Sequence, residues 1–215
     1  MRQAIVFDFD GTIADTVPLM LDIYHIKAES KGWPVITPTT LNKLKNHTLK
    51  YAMKWSGIKF WQIPGLLRQG RKYIGLRADE IKLFKGMDKL IVNLSKNNRL
   101  DIYVLSNNSS DTIEIVLNKY GVYNLVNVLP RSSFFGKAKL LNKLIKTNKY
   151  FNSDVIMVGD ETRDIEAARK VGVNIVAVSW GLQSFDVLEK SGAENICTNV
   201  NELTKLLKTK WNLLD

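Results

Sequence analysis

The stretch Ala4-Ile5-Val6-Phe7-Asp8-Phe9-Asp10-Gly11-Thr12 constrains the chain more than any other. An apolar run of the kind that fills a buried strand stops at two aspartates one residue apart. In an extended chain, residues i and i+2 face the same side, so Asp8 and Asp10 share a face if the strand continues. Two carboxylates that close repel each other unless a proton or a cation lies between them. Mg²⁺ takes oxygen ligands and is often held by only one or two carboxylates. The same punctuation recurs twice. Asp101-Ile102-Tyr103-Val104-Leu105 runs into Ser106-Asn107-Asn108, and Asp154-Val155-Ile156-Met157-Val158 runs into Gly159-Asp160.

Between these runs the spacing is helical. Apolar positions predict helices over 87–98, 111–120, 137–148 and 161–171, with further helices over 184–191 and from 201. Strands are expected over 101–105, 125–129, 154–158, 173–178 and 195–197. Strands alternating with helices of this length imply an α/β fold, a Rossmann-like, mostly parallel sheet with helices on both faces. Sites in such folds form at the carboxyl ends of the strands. Residues 16–85 differ in character, with little strand-like sequence. Helices are expected over 19–31, from the start signal Thr37-Pro38-Thr39-Thr40 through Leu41, Leu44, Thr48, Ala52 and Trp55, and over 66–73. The division expected is a core of residues 1–15 and 86–215 with an all-helical insert of residues 16–85.

The chain has 215 residues, is 45% hydrophobic and carries a formal net charge of +10. From Asp15 to Lys85 there are thirteen lysines and arginines against five acids, so a balance of +8 falls there. The charges are scattered and no groove-reading motif accompanies them, which disfavours nucleic acid and suits small anionic substrates. The lone Cys197 excludes an internal disulfide and points to a reducing compartment. No apolar run reaches membrane-spanning length, and the run before Asp8 is too short for a secretory core, so a cytoplasmic protein without membrane contact is expected.

Asp8-Phe9-Asp10-Gly11-Thr12-Ile13-Ala14-Asp15-Thr16 resembles the first motif of the haloacid dehalogenase-like hydrolase superfamily, Asp-x-Asp-Gly-Thr-hydrophobic-x-Asp-Ser/Thr. Val104-Leu105-Ser106-Asn107-Asn108 is similar to its second motif, and Gly159-Asp160-Glu161-Thr162-Arg163-Asp164 to its fourth. The run on through Arg169, followed by Ile175-Val176-Ala177-Val178-Ser179-Trp180-Gly181, resembles the phosphoglycolate-phosphatase-like branch. The insert then resembles that family's C1-type cap. The third motif departs most: Phe134-Phe135-Gly136-Lys137-Ala138-Lys139 lacks the branch's usual proline. Either lysine could serve. Lys137 is preferred because a cation at a helix start opposes the helix dipole, and a broken local rule hints at function.

The resemblance implies roles. Asp8 would be the nucleophile that forms an aspartyl-phosphate, and Asp10 the general acid and base. Mg²⁺ would be held by Asp8, the backbone carbonyl of Asp10, and Asp160. Thr12, the Ser106 hydroxyl and the Asn107 N–H would bind the phosphate. Lys137 would balance the nucleophile's charge and touch the phosphoryl group, and Asp164 would position Lys137 or the metal's waters. The implied activity is Mg²⁺-dependent hydrolysis of a small phosphorylated metabolite, with phosphoglycolate the first guess, by a monomer or homodimer. A phosphomutase and a non-catalytic phosphate-ligand-binding relative are the alternatives. Taken singly, these residues are weaker signals: Asp-Gly after a strand is a turn signal, and Asp160 could be a helix cap. His25 and His47 suit packing or surface roles. Trp33, Trp55, Phe60, Trp61 and Tyr73 suit the insert's core more than a substrate box. Arg68, Arg71 and Lys72 suit a solvated face more than contact with a distal anion.

Overall fold

The computed structural model describes residues 2–129 and 136–214. Six strands form one parallel sheet: β1 (Gln3–Asp8), β4 (Leu100–Leu105), β5 (Asn127–Val128), β6 (Val155–Gly159), β7 (Asn174–Val178) and β8 (Ile196–Cys197). Their order is β5-β4-β1-β6-β7-β8, so β1 is flanked on both sides. This is the Rossmann-like α/β architecture read from the alternation of runs.

The sheet carries helices on both faces because successive side chains of β1 point opposite ways. Ile5 and Phe7 enter a core with α5 (Met87–Ser95), α6 (Ser110–Lys119) and α10 (Val200–Trp211). Ala4 and Val6 enter a second core with α7 (Lys137–Asn148) and α8 (Thr162–Val171). Ile5, Val6 and Phe7 are fully buried. Burial of an Ile, Val or Phe side chain contributes roughly 1.5–3 kcal/mol, which accounts for the unbroken apolar run. A short helix, α9 (Phe185–Lys190), covers the far edge.

Register decides where the polar strand ends meet. Asp8 lies opposite Leu105, so Ser106 follows immediately beside it. Phe7 lies opposite Val158, which sets Asp160 just beyond the same edge.

The segment after β1 contains α1 (Val17–Lys31), α2 (Pro38–Lys45), α3 (Leu49–Ser56) and α4 (Ile63–Leu76). Pro18 and Pro64 stand in the first turns of α1 and α4, where a missing N–H costs nothing. Thr37 caps α2 by accepting from Thr40 N at 3.2 Å. α1 packs on α4, and Arg77 joins them through Asp22 at 2.7 Å.

Three expectations need correction. The helix expected through Leu41 and Trp55 is two helices, broken at Asn46–Thr48, where Thr48 is extended. The segment is not wholly helical: β2 (Ala14–Asp15) pairs antiparallel with β3 (Lys82–Leu83), forming a two-stranded ribbon at the base of the insert. Phe60 and Trp61 are not core residues; they are 65% and 76% exposed. Among the described residues, no helix is long and apolar enough to cross a membrane.

Candidate active site

Asp8 ends β1 inside the protein. Its Oδ1 accepts from the Phe9 N–H at 2.9 Å, and its Oδ2 faces Lys137 Nζ at 2.7 Å. Lys137 opens α7, where the helix dipole disfavours a cation. Two carboxylates offset this, since the same Nζ lies 2.5 Å from Asp164 Oδ1. All three side chains are almost completely buried. Lys139, two residues on, is exposed. Phe134 and Phe135 of the same sequence stretch lie outside the described residues.

Asp160 follows β6 and is fully buried. Thr12 Oγ1 donates to its Oδ1 at 2.9 Å, and the Leu182 N–H to its Oδ2 at 2.7 Å. Thr12 is itself held, because Trp180 Nε1 donates to its carbonyl at 3.1 Å. The loop before Thr12 turns at Gly11, whose φ of +81° suits glycine, and a Cβ there would collide with the Asp160 carboxylate. Asp164 also accepts from the Glu161 N–H at 3.1 Å, fixing the first turn of α8.

Asp10 stands at the cavity side. Ser106 Oγ donates to its Oδ2 at 3.0 Å and Asn108 Nδ2 to its Oδ1 at 3.1 Å. The Asn108 N–H in turn donates to Ser106 Oγ at 2.8 Å. Asn107 lines the cavity beside them. The structure therefore brings Asp8, Lys137, Asp160 and Asp164 into one cluster and sets Asp10, Ser106 and Asn107 next to it. It directs the Thr12 hydroxyl at Asp160 instead of the cavity.

The electrostatics follow from burial. Asp8 is pushed up to about 8, chiefly because burial penalises its charge, with Lys137 pulling the other way. Asp160 is raised well above the usual carboxylate range by burial, then by Asp8 and Glu161. Burial also raises Asp10, against the hydrogen bonds from Ser106 and Asn108. Burial alone would lower Lys137, but Asp164 and Asp8 outweigh it and hold the ammonium charged.

Oxygens of Asp8, Asp160 and Asp164 all lie within 4.8 Å of one another. The Lys137 ammonium pairs with Asp8 and Asp164 and leaves Asp160 without a cationic partner among the described residues, so three clustered carboxyls share one positive charge. An oxygen-only donor set with that excess fits a hard divalent cation such as Mg²⁺.

Above the cluster is a cavity of about 370 Å³. Asp8, Asp10, Asn107 and Arg163 form one end, and side chains of α1, α3 and α4 form the rest. Arg71 and Trp33 line it, whereas Arg68 and Lys72 are exposed. His25 meets the Ile36 carbonyl at 3.0 Å and His47 stacks on Tyr51, away from the acids.

Several groups escaped the sequence reading. Asn108 was legible as a third polar residue after Leu105. Glu161, paired with Arg163 at 2.5 Å, sat inside the fourth motif. Trp180 stood in the stretch that carries the branch resemblance but without a role, and Leu182 and Gln183 reach the site only through tertiary contacts that nothing local marks.

The model for the family described as haloacid dehalogenase-like hydrolases matches residues 5–178. The chain belongs to that family. The hydrolase is 33% identical over 180 residues to a phosphoglycolate phosphatase of Synechococcus elongatus, covering 83% of this chain and 84% of that one. It is 27% identical over 218 residues to an N-acetylmuramic acid 6-phosphate phosphatase of Pseudomonas putida, covering 95% and 96%. A haloacid dehalogenase-like hydrolase structure from Streptococcus pneumoniae shares its fold with a TM-score of 0.76, at 20% identity and 96% and 98% coverage. The hydrolase thus falls in the family's phosphatase branch, beside the phosphoglycolate phosphatases.

Proposed function

We propose that this hydrolase is a Mg²⁺-dependent phosphatase that cleaves a small phosphate monoester through an aspartyl-phosphate on Asp8. The observation that carries the proposal is the pairing of Asp8 with Lys137 at the floor of a cavity that Asp10 also enters. Asp8 Oδ would attack phosphorus as the ester P–O bond breaks. Asp10 would give its proton to the departing alkoxide oxygen, and its raised pKa suits a group that holds a proton near neutral pH. Asp10 would then take a proton from water attacking the aspartyl-phosphate. The P–O bond to Asp8 breaks and inorganic phosphate leaves.

Lys137, together with the cation, would favour the ionised form of Asp8 and offset phosphate charge as a point cation. Asp164 holds that lysine in place, acting as a positioning residue. Thr12 and the Leu182 N–H orient Asp160, so Thr12 is better read as serving Asp160 than as touching substrate. Ser106 and the Asn107 N–H remain the proposed phosphate contacts. Asp8, Asp160 and the Asp10 carbonyl would hold Mg²⁺. When bound, that cation supplies charge neutralisation and orientation of the phosphoryl group.

Residues 16–85 would act as a cap that closes over the site and excludes water, hinging beside the β2–β3 ribbon. A reducing cytoplasm, where Mg²⁺ is plentiful, suits both the metal and the buried thiol of Cys197. Phosphoglycolate, on which a relative is named to act, is the first ester to assay. Phosphate release from a panel of phosphorylated metabolites, with Mg²⁺ and with EDTA, tests the reading. Release from at least one ester that stops in EDTA is expected; release that survives EDTA would contradict it.

A further inference from the structure

The cavity is built for more than a two-carbon acid. Its volume of about 370 Å³ lies within the range of roughly 300–1,000 Å³ seen for pockets that enclose drug-sized ligands. Away from the acids, aliphatic side chains make up most of its walls, Met20 and Ile23 from α1, Leu49 from α3, and Leu66 and Leu67 from α4, with Lys27, Gln69 and Arg71 set among them. The five aliphatic side chains are only half-buried; Met20 also packs on the sheet's core, and all five present apolar surface to the cavity. They are continuous with the end where Asp8, Asp10 and Asn107 lie. A ligand whose phosphate reached Asp8 would lay the rest of its body along them. An apolar body would remove that surface from water, whereas a short carboxylate would leave most of it wet.

We infer that the preferred substrate is a phosphate monoester whose alcohol part is an apolar body of several carbons. This rests on the phosphatase reading and narrows its substrate. The aliphatic walls of α1 and α4 select by burial, and the polar end fixes the phosphate.

The test uses the full chain with Mg²⁺ and two matched series. One is n-alkyl phosphates from methyl to hexyl, assayed for kcat/KM beside phosphoglycolate. The other is the corresponding n-alkylphosphonates, which cannot be hydrolysed, measured for Kd by calorimetry. Each added methylene is expected to improve both quantities about three- to fourfold until the cavity is full. Hexyl phosphate is expected to surpass phosphoglycolate. Leu67→Asn, which puts an amide on the wall, is expected to flatten both slopes, with the largest loss for the longest chain. If that variant does not fold, the wild-type slopes still decide. A flat or falling slope in the phosphonate series, or phosphoglycolate outrunning every alkyl ester, would overturn the inference. A rising phosphonate slope without turnover of any ester would uphold the apolar pocket while overturning the phosphatase reading.

Discussion

Lys137 and Lys139 stand two residues apart at the start of α7 and differ in everything that matters chemically. Lys137 is buried between Asp8 and Asp164; Lys139 is in solvent. Removing one partner of a buried charge pair typically costs about 3–5 kcal/mol, because the other charge is left uncompensated. Lys137→Met is therefore expected to lower stability by about 3 kcal/mol in urea melts and to abolish most turnover. Lys139→Met should stay within about 0.5 kcal/mol of wild type. Asp10→Asn should reduce kcat by about 10²–10⁴-fold, the usual share of an acid–base group, while Mg²⁺ affinity by calorimetry holds. A loss of affinity matching that of Asp160→Ala would contradict that division of labour. The acids also predict a pH dependence without metal. Asp8 sits at about 8 in the folded chain against 3.8 ordinarily, so between those values the unfolded chain releases its proton first. Folding is then progressively disfavoured, and the Tm in EDTA should fall from about pH 5 to about pH 8. Mg²⁺ should remove most of that slope, and an equal slope with and without Mg²⁺ would argue against metal at this cluster. Asp8, Asp10 and Asp160 were readable in the sequence because they follow apolar strand runs, and Asp164 through the motif that begins at Gly159. The contacts that hold Asp160 were not, since Thr12 and Leu182 meet it, and Trp180 meets Thr12, only after the sheet has formed.

At the scale of elements, the long parallel strands were legible as unbroken apolar runs buried on both faces, and their crossover helices because each buries a periodic face. The break after α2 was not, because Leu41 through Trp55 keep helical spacing across it. Its cause is tertiary: the turn at residues 45–47 points carbonyls at the loop after β7. Ser184 N donates to the Lys45 carbonyl at 2.9 Å, and Gln183 Nε2 to the His47 carbonyl at 3.3 Å. The same Gln183 accepts from the Thr162 N–H at 2.5 Å, so one buried amide joins the α2–α3 turn to the first turn of α8. Two hydrogen bonds at about 0.5–1.5 kcal/mol each are at stake. Gln183→Leu is expected to raise KM about three- to tenfold and to speed amide hydrogen exchange at residues 45–48. Unchanged exchange there would mean that the contact does not hold the turn. The two-residue strands β2 and β3 also escaped notice, being too short to show any period.

Across the whole molecule, the strand ends supply one fixed cluster of charge, and the inserted helices supply an apolar roof. Burial disfavours the ionised form of Asp8, and in the proposed mechanism Lys137 together with Mg²⁺ would make it a nucleophile. The most direct measurement mixes wild type and Asp8→Asn with a hydrolysed ester in Mg²⁺, quenches in acid, and maps any phosphoryl adduct by mass spectrometry while following phosphate release. The account predicts an adduct on the peptide containing Asp8 in wild type. For Asp8→Asn it predicts no adduct and phosphate release slower by about a thousandfold or more. Phosphate release by Asp8→Asn at a rate near that of wild type would contradict it.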